Sequence, residues 1–333
     1  TAATVGLKGG SKDLNGAYLF VEYEDLTLEN EPRDFPPSNR RNLSDGAQDK
    51  LFWVSISDFE KVPGSPIAYW SSLHVRELFS RLPAISELTE TREGLTTGSN
   101  DLFLRYWQEV SACRVGWQIE NTEQSVTSGC RWFPYVKGGD FRRWFGNNEY
   151  VVNWWNDGAE LKCFSDPETG RIRSHNYNGD YGFRAGFSWS GMSSGSFSVR
   201  QVPGGFMFDA KGPMGFPFDE QSIDFLSQFL NSKVTDHLLK MLAPTMDFKL
   251  GHVLNLPAAE APQVSRSDNG SRLSSISKAD WDAYETSWDF TTLPLLSPNH
   301  RAGTLAENYK NLRAHWQGMT DEMQRLEEEN NRI

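Results

Sequence analysis

Cysteine is scarce in this sequence. Cys113, Cys130 and Cys163 are the three present in 333 residues. None stands in a Cys-x-x-Cys pair, so neither a disulfide framework nor a structural zinc site organises the chain. The six histidines, His74, His175, His237, His252, His300 and His315, show no ligand spacing to one another or to cysteine. Long apolar runs are missing as well: no stretch approaches the roughly 18 residues of a membrane helix. Residues 1–25 lack the basic-then-apolar order of a secretory signal. A soluble, cytoplasmic protein with no membrane partner is expected.

Catalytic signatures are equally thin. No Gly-x-Ser-x-Gly elbow occurs, and no glycine-rich turn after a strand suits a nucleotide. Gly6-Leu7-Lys8-Gly9-Gly10-Ser11-Lys12 reverses the Lys-Ser order of a phosphate loop and reads as a plain loop. Carboxylate pairs such as Asp166 and Glu168 are no more than an acidic chain offers by chance. No catalytic, metal-binding or cofactor-binding residue is assigned in this chain.

Positive charge is also in deficit. Lysine and arginine total 33 against 44 acidic residues, a net charge of -11, which on average repels a phosphate backbone. The deficit is uneven. Between Arg131 and Lys211, ten basic residues face eight acidic ones, leaving this stretch slightly positive.

What the chain has is length for two or three domains and an abundance of aromatic and glycine residues. Ala17–Tyr23 alternates like a strand, Leu51–Val54 reads as a second, and Pro63–Pro66 as a turn. A solvated linker is expected over residues 28–48, including the turn at Phe35-Pro36-Pro37-Ser38. Residues 68–82 carry helical spacing. From 94 to about 215, short apolar runs between turn residues predict a twisted antiparallel β domain. Within it, Phe197–Val199 and Phe206–Phe208 flank Pro203-Gly204-Gly205 as a hairpin. A helix capped by Asp219 should run to Leu242 and end at Pro244, with a linker over 258–275. Leu305, Tyr309, Leu312, Trp316, Met319, Met323 and Leu326 step by four and three, so this helix packs along another helix or supplies a coiled-coil seam. The fold class expected is α+β, a β-rich domain with packed helices and a long C-terminal helix. Its parts are 1–93 (the tail of a preceding domain and connector), 94–257 (the β domain) and 258–333 (linker and helical region).

Two boxes carry a resemblance. Gly94-Leu95-Thr96-Thr97-Gly98-Ser99-Asn100-Asp101-Leu102-Phe103 suits a loop that approaches something closely before a helix. It looks like the Gly-x-x-Thr-Gly-x-Asn-x-x-Phe box that follows the catalytic domain in combined restriction-modification adenine methyltransferases. The run from Trp132-Phe133-Pro134-Tyr135-Val136-Lys137-Gly138-Gly139-Asp140-Phe141-Arg142-Arg143 to Trp154 is similar to the signature of BREX-type adenine-specific DNA methyltransferases, enzymes of phage defence. Ser188-Trp189-Ser190, Ser193–Phe197, Leu230–Lys233, Pro244–Phe248, Asn255–Pro257 and Glu285–Phe290 continue the series in order from about residue 51 to the end.

The resemblance implies a target-recognition part of an enzyme that binds S-adenosylmethionine, flips an adenine from the duplex and methylates its amine. The cofactor turn and the Asn-Pro-Pro-aromatic box are absent from this sequence, so both are expected in an upstream methyltransferase domain, and this piece alone should not methylate. Double-stranded DNA is the expected partner, along with that domain and other BREX components. The DNA-binding candidates are Thr96, Thr97, Ser99 and Asn100 of the first box. Lys137, Arg142 and Arg143 are added as cations beside two glycines, apt for phosphate. Arg184, Ser188, Ser190, Ser193 and Ser194 are added as groove contacts. Two alternatives stay open: a protein-interaction platform using the 305–326 helix, and a carbohydrate-binding module suggested by acidic, Trp-rich β composition.

Overall fold

The computed structural model describes residues 12–21, 51–193, 195–243, 245–258 and 269–332. The Gly6–Lys12 loop apart from Lys12, the 28–48 linker with its Phe35–Ser38 turn, Ser194 and Pro244 lie outside them. The chain divides into two compact units, Thr1–Pro83 and Ala84–Ile333.

In the first unit β1 (Asn15–Leu19) pairs antiparallel with β2 (Leu51–Ser55), Asn15 opposite Ser55 and Leu19 opposite Leu51. The one-turn α1 (Ile56–Phe59) follows directly because the Ser55 hydroxyl accepts from Asp58 N–H and ends the strand as a helix cap. α2 (Leu73–Arg81) starts at the cap Ser72, five residues later than the periodicity suggests. The buried Arg76 guanidinium explains the delay, donating to the carbonyls of Ala68 at 3.3 Å and Ser71 at 2.8 Å and holding that stretch as a turn. Val54, Phe59 and Tyr69 form the small core, with Tyr18 stacked on Tyr69 at 5.2 Å.

The second unit is α+β and built on two four-stranded sheets. The first is antiparallel throughout, in the order β3 (Thr89–Arg92), β10 (Met214–Pro217), β7 (Gly186–Trp189), β8 (Val199–Val202). The second runs β4 (Leu104–Tyr106), β6 (Tyr150–Asn153), β5 (Trp132–Val136), β9 (Met207–Phe208), with β9 parallel to β5. One core packs Phe133, Tyr135 and Val152 of the second sheet against Phe103, Trp154, Leu161 and Phe183. Another joins the sheets through Val136 and Phe208 on one side and Val202, Met214 and Phe216 on the other.

Two expectations need correction. Phe197–Phe208 is no hairpin, because β8 and β9 belong to different sheets. Gly205, at φ 99°, lets the chain cross over, and its N–H donates to Phe183 C=O. The Asp219–Leu242 helix is also interrupted. After α3 (Asn100–Phe103), α4 (Thr122–Thr127) and α5 (Trp155–Lys162), the chain forms α6 (Ile223–Leu230) and then α7 (Lys233–Leu242). Asp219 does cap the opening turn, accepting from Gln221 N–H. The break occurs because Asn231 turns inward to pair with Val199 while Ser232 caps a new helix through Thr235 N–H.

After α8 (Leu250–Leu254), residues 259–268 of the linker expected over 258–275 lie outside the described residues, and its end, 269–275, belongs to α9 (Asn269–Trp281). Burial of Leu273 and Trp281 outweighs its poor intrinsic propensity. α10 (Leu305–Asn330) opens on a Thr304/Glu307 capping box. Its stripe is used within the chain at Leu326 and Met323, which pack with Leu273, Ile276 and Trp144, while Leu305, Tyr309 and Trp316 stay exposed.

Candidate nucleic-acid interface

The first box docks its backbone on the end of β9. Leu95 N–H donates to Phe208 C=O at 2.9 Å and Ala210 N–H returns a bond to Leu95 C=O at 3.1 Å. Gly94 makes this possible, since a Cβ there would stand 1.9 Å from the Phe208 oxygen. The Thr97 hydroxyl donates to Asn100 Oδ1 at 2.8 Å and is buried. Thr96 and Asn100 are exposed and Ser99 half-buried.

Lys137 leaves the end of β5 toward the same loop. Its Nζ lies 2.7 Å from Asp209 Oδ2 and 3.4 Å from Asn100 Oδ1. Asp209 is buried and also accepts from Tyr135 Oη at 2.8 Å and Lys211 N–H at 2.7 Å. Burial first, and then the Asp209 charge, push the Tyr135 phenol well above its ordinary value. Gly138, at φ 90°, is a packing glycine: a Cβ would meet Lys211 C=O at 2.9 Å. The structure thus brings together Thr97, Asn100 and Lys137 and adds Asp209, Tyr135 and Lys211 to them.

A hairpin over residues 164–177, not singled out in the sequence, borders this cluster. Thr96 and His175 exchange both main-chain hydrogen bonds, at 2.8 and 2.9 Å. Gly98, at φ 73°, packs on the Arg173 backbone. At the hairpin tip the Asp166 carboxylate accepts from Thr169 N–H at 2.9 Å, Glu168 N–H at 3.0 Å and Arg173 Nε at 3.1 Å. The Thr169 amide, followed by Arg173, holds that carboxyl far below the usual range. Buried Ser174 anchors the hairpin to Leu161 C=O. Exposed on it are Arg171, Ile172, Arg173, His175 and Tyr177, the last two stacked at 5.3 Å. The available signal was Asp166-Pro167-Glu168-Thr169-Gly170, a turn sequence ahead of two arginines.

Other expected site residues fall elsewhere. Arg142 and Arg143 have internal partners, Asp280 at 2.7 Å and Glu327 at 3.0 Å. They fasten the loop after β5 to α9 and α10. Ser188 is fully buried, and Ser190, nearly so, donates to Gly139 C=O at 2.7 Å, so burial removes both from any groove. Ser193 is half-buried and accepts from Gly195 N–H at 3.1 Å. Arg184 stands over the rings of Tyr181 at 4.9 Å and Phe216 at 5.2 Å, with Glu90 3.9 Å away. Arg200 is buried and donates to Arg142 C=O at 3.3 Å. Burial, with nearby Arg142, lowers its guanidinium to about 10. Among the described residues no three His, Cys, Asp or Glu are grouped for a metal ion, and no helix is long and apolar enough to cross a membrane.

The chain is 44% identical over 289 residues to the adenine-specific methyltransferase PglX of Lacticaseibacillus casei (strain Zhang), a match covering 85% of this chain and 24% of that protein. The chain belongs to the PglX and BrxX family, as a homologue of one part of it. The adenine-specific methyltransferase BrxX of Escherichia coli O9:H4 (strain HS) is 38% identical over 256 residues, 76% of this chain and 19% of that protein. The chain therefore spans a quarter or less of the length of these PglX and BrxX relatives. No family model matches. A solved structure of the Type IIL restriction-modification enzyme MmeI in complex with DNA aligns at TM-score 0.33 and 14% identity, over 69% of this chain and 32% of that one, too slight a likeness to support an argument.

Proposed function

We propose that this chain is the DNA target-recognition part of a site-specific adenine methyltransferase serving BREX phage defence in the cytoplasm. The observation that carries this is the 44% identity over 289 residues to a protein named as an adenine-specific methyltransferase. Methyl transfer, with S-adenosylmethionine as donor, is assigned to the upstream methyltransferase domain of the parent protein, and other defence components are partners at that level. This chain's own task is to hold the duplex in register while the adenine is flipped out for the catalytic domain.

The loop cluster suits two kinds of contact. Phosphate contacts set register, and base-edge contacts set sequence. Arg171 and Lys211 are exposed cations with no carboxylate partner among the described residues, and they take the phosphate role. Thr96, Ser99 and Asn100 present short hydroxyl and amide groups to base edges; Asn100 Oδ1 is engaged by Thr97 and Lys137, so its Nδ2 is the group offered, as a donor. Lys137 lies beside Asn100 with its charge compensated by Asp209.

The test is fluorescence anisotropy of the purified chain with labelled duplex at several salt concentrations. Arg171→Ala combined with Lys211→Ala should lower the magnitude of the salt slope by about 2, near 0.9 per lost phosphate contact. A chain that binds no duplex above competitor, or a double variant with an unaltered slope, overturns this reading.

A further inference from the structure

Asp209 is a buried carboxylate, 7% exposed, placed where three segments meet. Its two oxygens accept from a lysine ammonium, a tyrosine hydroxyl and a main-chain N–H. The segments are those of the 94–100 loop, the end of β5 and the end of β9, already laced together by the Leu95, Phe208 and Ala210 backbone bonds and by Asp209 N–H to Val136 C=O at 2.9 Å. Tyr135 could have satisfied one oxygen and Lys211 N–H the other. Neither of these donors carries charge, so Lys137 is the cation that compensates the buried carboxylate, and it makes the shortest side-chain bond there.

Resting on the DNA-recognition reading, we infer that Asp209 is a positioning residue that converts Lys137 from a general phosphate attractor into a directional hydrogen-bond donor for an acceptor on a base edge. An ammonium has three donors. One goes to Asp209, a second leans on Asn100 Oδ1 at 3.4 Å, and the third has no further acceptor among the described residues, in a side chain that is 27% exposed. Because the neighbouring carboxylate cancels the unit charge, Lys137 adds little to sequence-independent attraction, which depends on net cations near the phosphates. What survives is geometry: a fixed donor pays little ordering entropy and discriminates among acceptors such as the guanine O6/N7 edge. Asn100, itself held by Thr97, defines the second direction.

The full chain is tested with a randomised duplex and with a duplex enriched by repeated selection from a random library. Asp209→Asn keeps the shape, releases the ammonium, and should steepen the salt slope on randomised duplex by about one contact while selectivity for the enriched duplex falls. Adding Lys137→Met to Asp209→Asn should bring the slope back. An Asp209→Asn protein with native near-ultraviolet dichroism and an unaltered slope overturns the inference while leaving DNA recognition standing. Should Asp209→Asn fail to fold, Lys137→Met alone decides: preference for the enriched over the randomised duplex should drop about tenfold. A flatter salt slope with preference intact would instead mark Lys137 as an ordinary phosphate contact. Wild-type protein that binds neither duplex overturns the recognition reading and this inference together.

Discussion

The guanidinium of Arg142 lies 2.7 Å from the Asp280 carboxylate and 5.0 Å from the centre of the Trp281 ring, joining a loop and a helix 138 residues apart. Beside it Arg143 meets Glu327, whose other oxygen accepts from Trp144 Nε1 at 2.8 Å. Two cations that stand next to paired glycines in the sequence therefore act as clasps for the C-terminal helices.

Replacing both clasps should act on stability. Arg142→Ala with Arg143→Ala removes two half-buried ion pairs and two cation–π contacts, to Trp281 and Phe141, and is expected to cost about 1–3 kcal/mol, read as a lower urea midpoint. The salt slope of DNA binding should match wild type. Full stability together with a flattened slope would return these residues to the phosphate.

Asn231 is the second structural anchor. Its side-chain amide accepts from Val199 N–H at 2.9 Å and donates to Val199 C=O at 3.0 Å, imitating a neighbouring strand for β8. Asn231→Ala strands the buried Val199 N–H, while the Val199 carbonyl keeps Trp144 N–H at 2.9 Å, so a loss of about 1–3 kcal/mol is expected, with faster exchange of the Val199 amide. Wild-type protection of that amide in the variant would refute the role.

Tyr135 predicts an alkaline limb. Its phenol titrates higher folded than unfolded, so the neutral form is the one the fold favours. The stability it contributes is complete below the unfolded value of about 10 and is lost as pH rises from there through the folded value. Denaturation midpoints measured from pH 9 to 11 should fall more steeply for wild type than for Tyr135→Phe. Parallel curves would show that the phenol is not held against Asp209.

Much of the local structure was legible because it depends on neighbours in sequence. Thr304 and Glu307 announce α10, Asp219 caps its helix, and the 94–103 box folds as a loop leading into a short helix. Where sequence reasoning failed, a distant partner decided. Asn231 broke a helix to serve Val199, and Gly205 carried the chain between sheets where local turn chemistry suggested a hairpin.

The sequence by itself determined family membership through its ordered boxes and the α+β class through its shifting periodicities. The tertiary structure decided which polar residues face solvent and which are consumed inside. Hydroxyls and guanidinium groups look alike in sequence whether free or engaged, and their availability depends on partners such as Asp280, Glu327 and Asp209, which lie 72 to 184 residues away. Burial withdrew Ser188 and Ser190, ion pairing occupied Arg142 and Arg143, and the pairing of Thr96 with His175 placed the hairpin that carries Arg171 beside the first box.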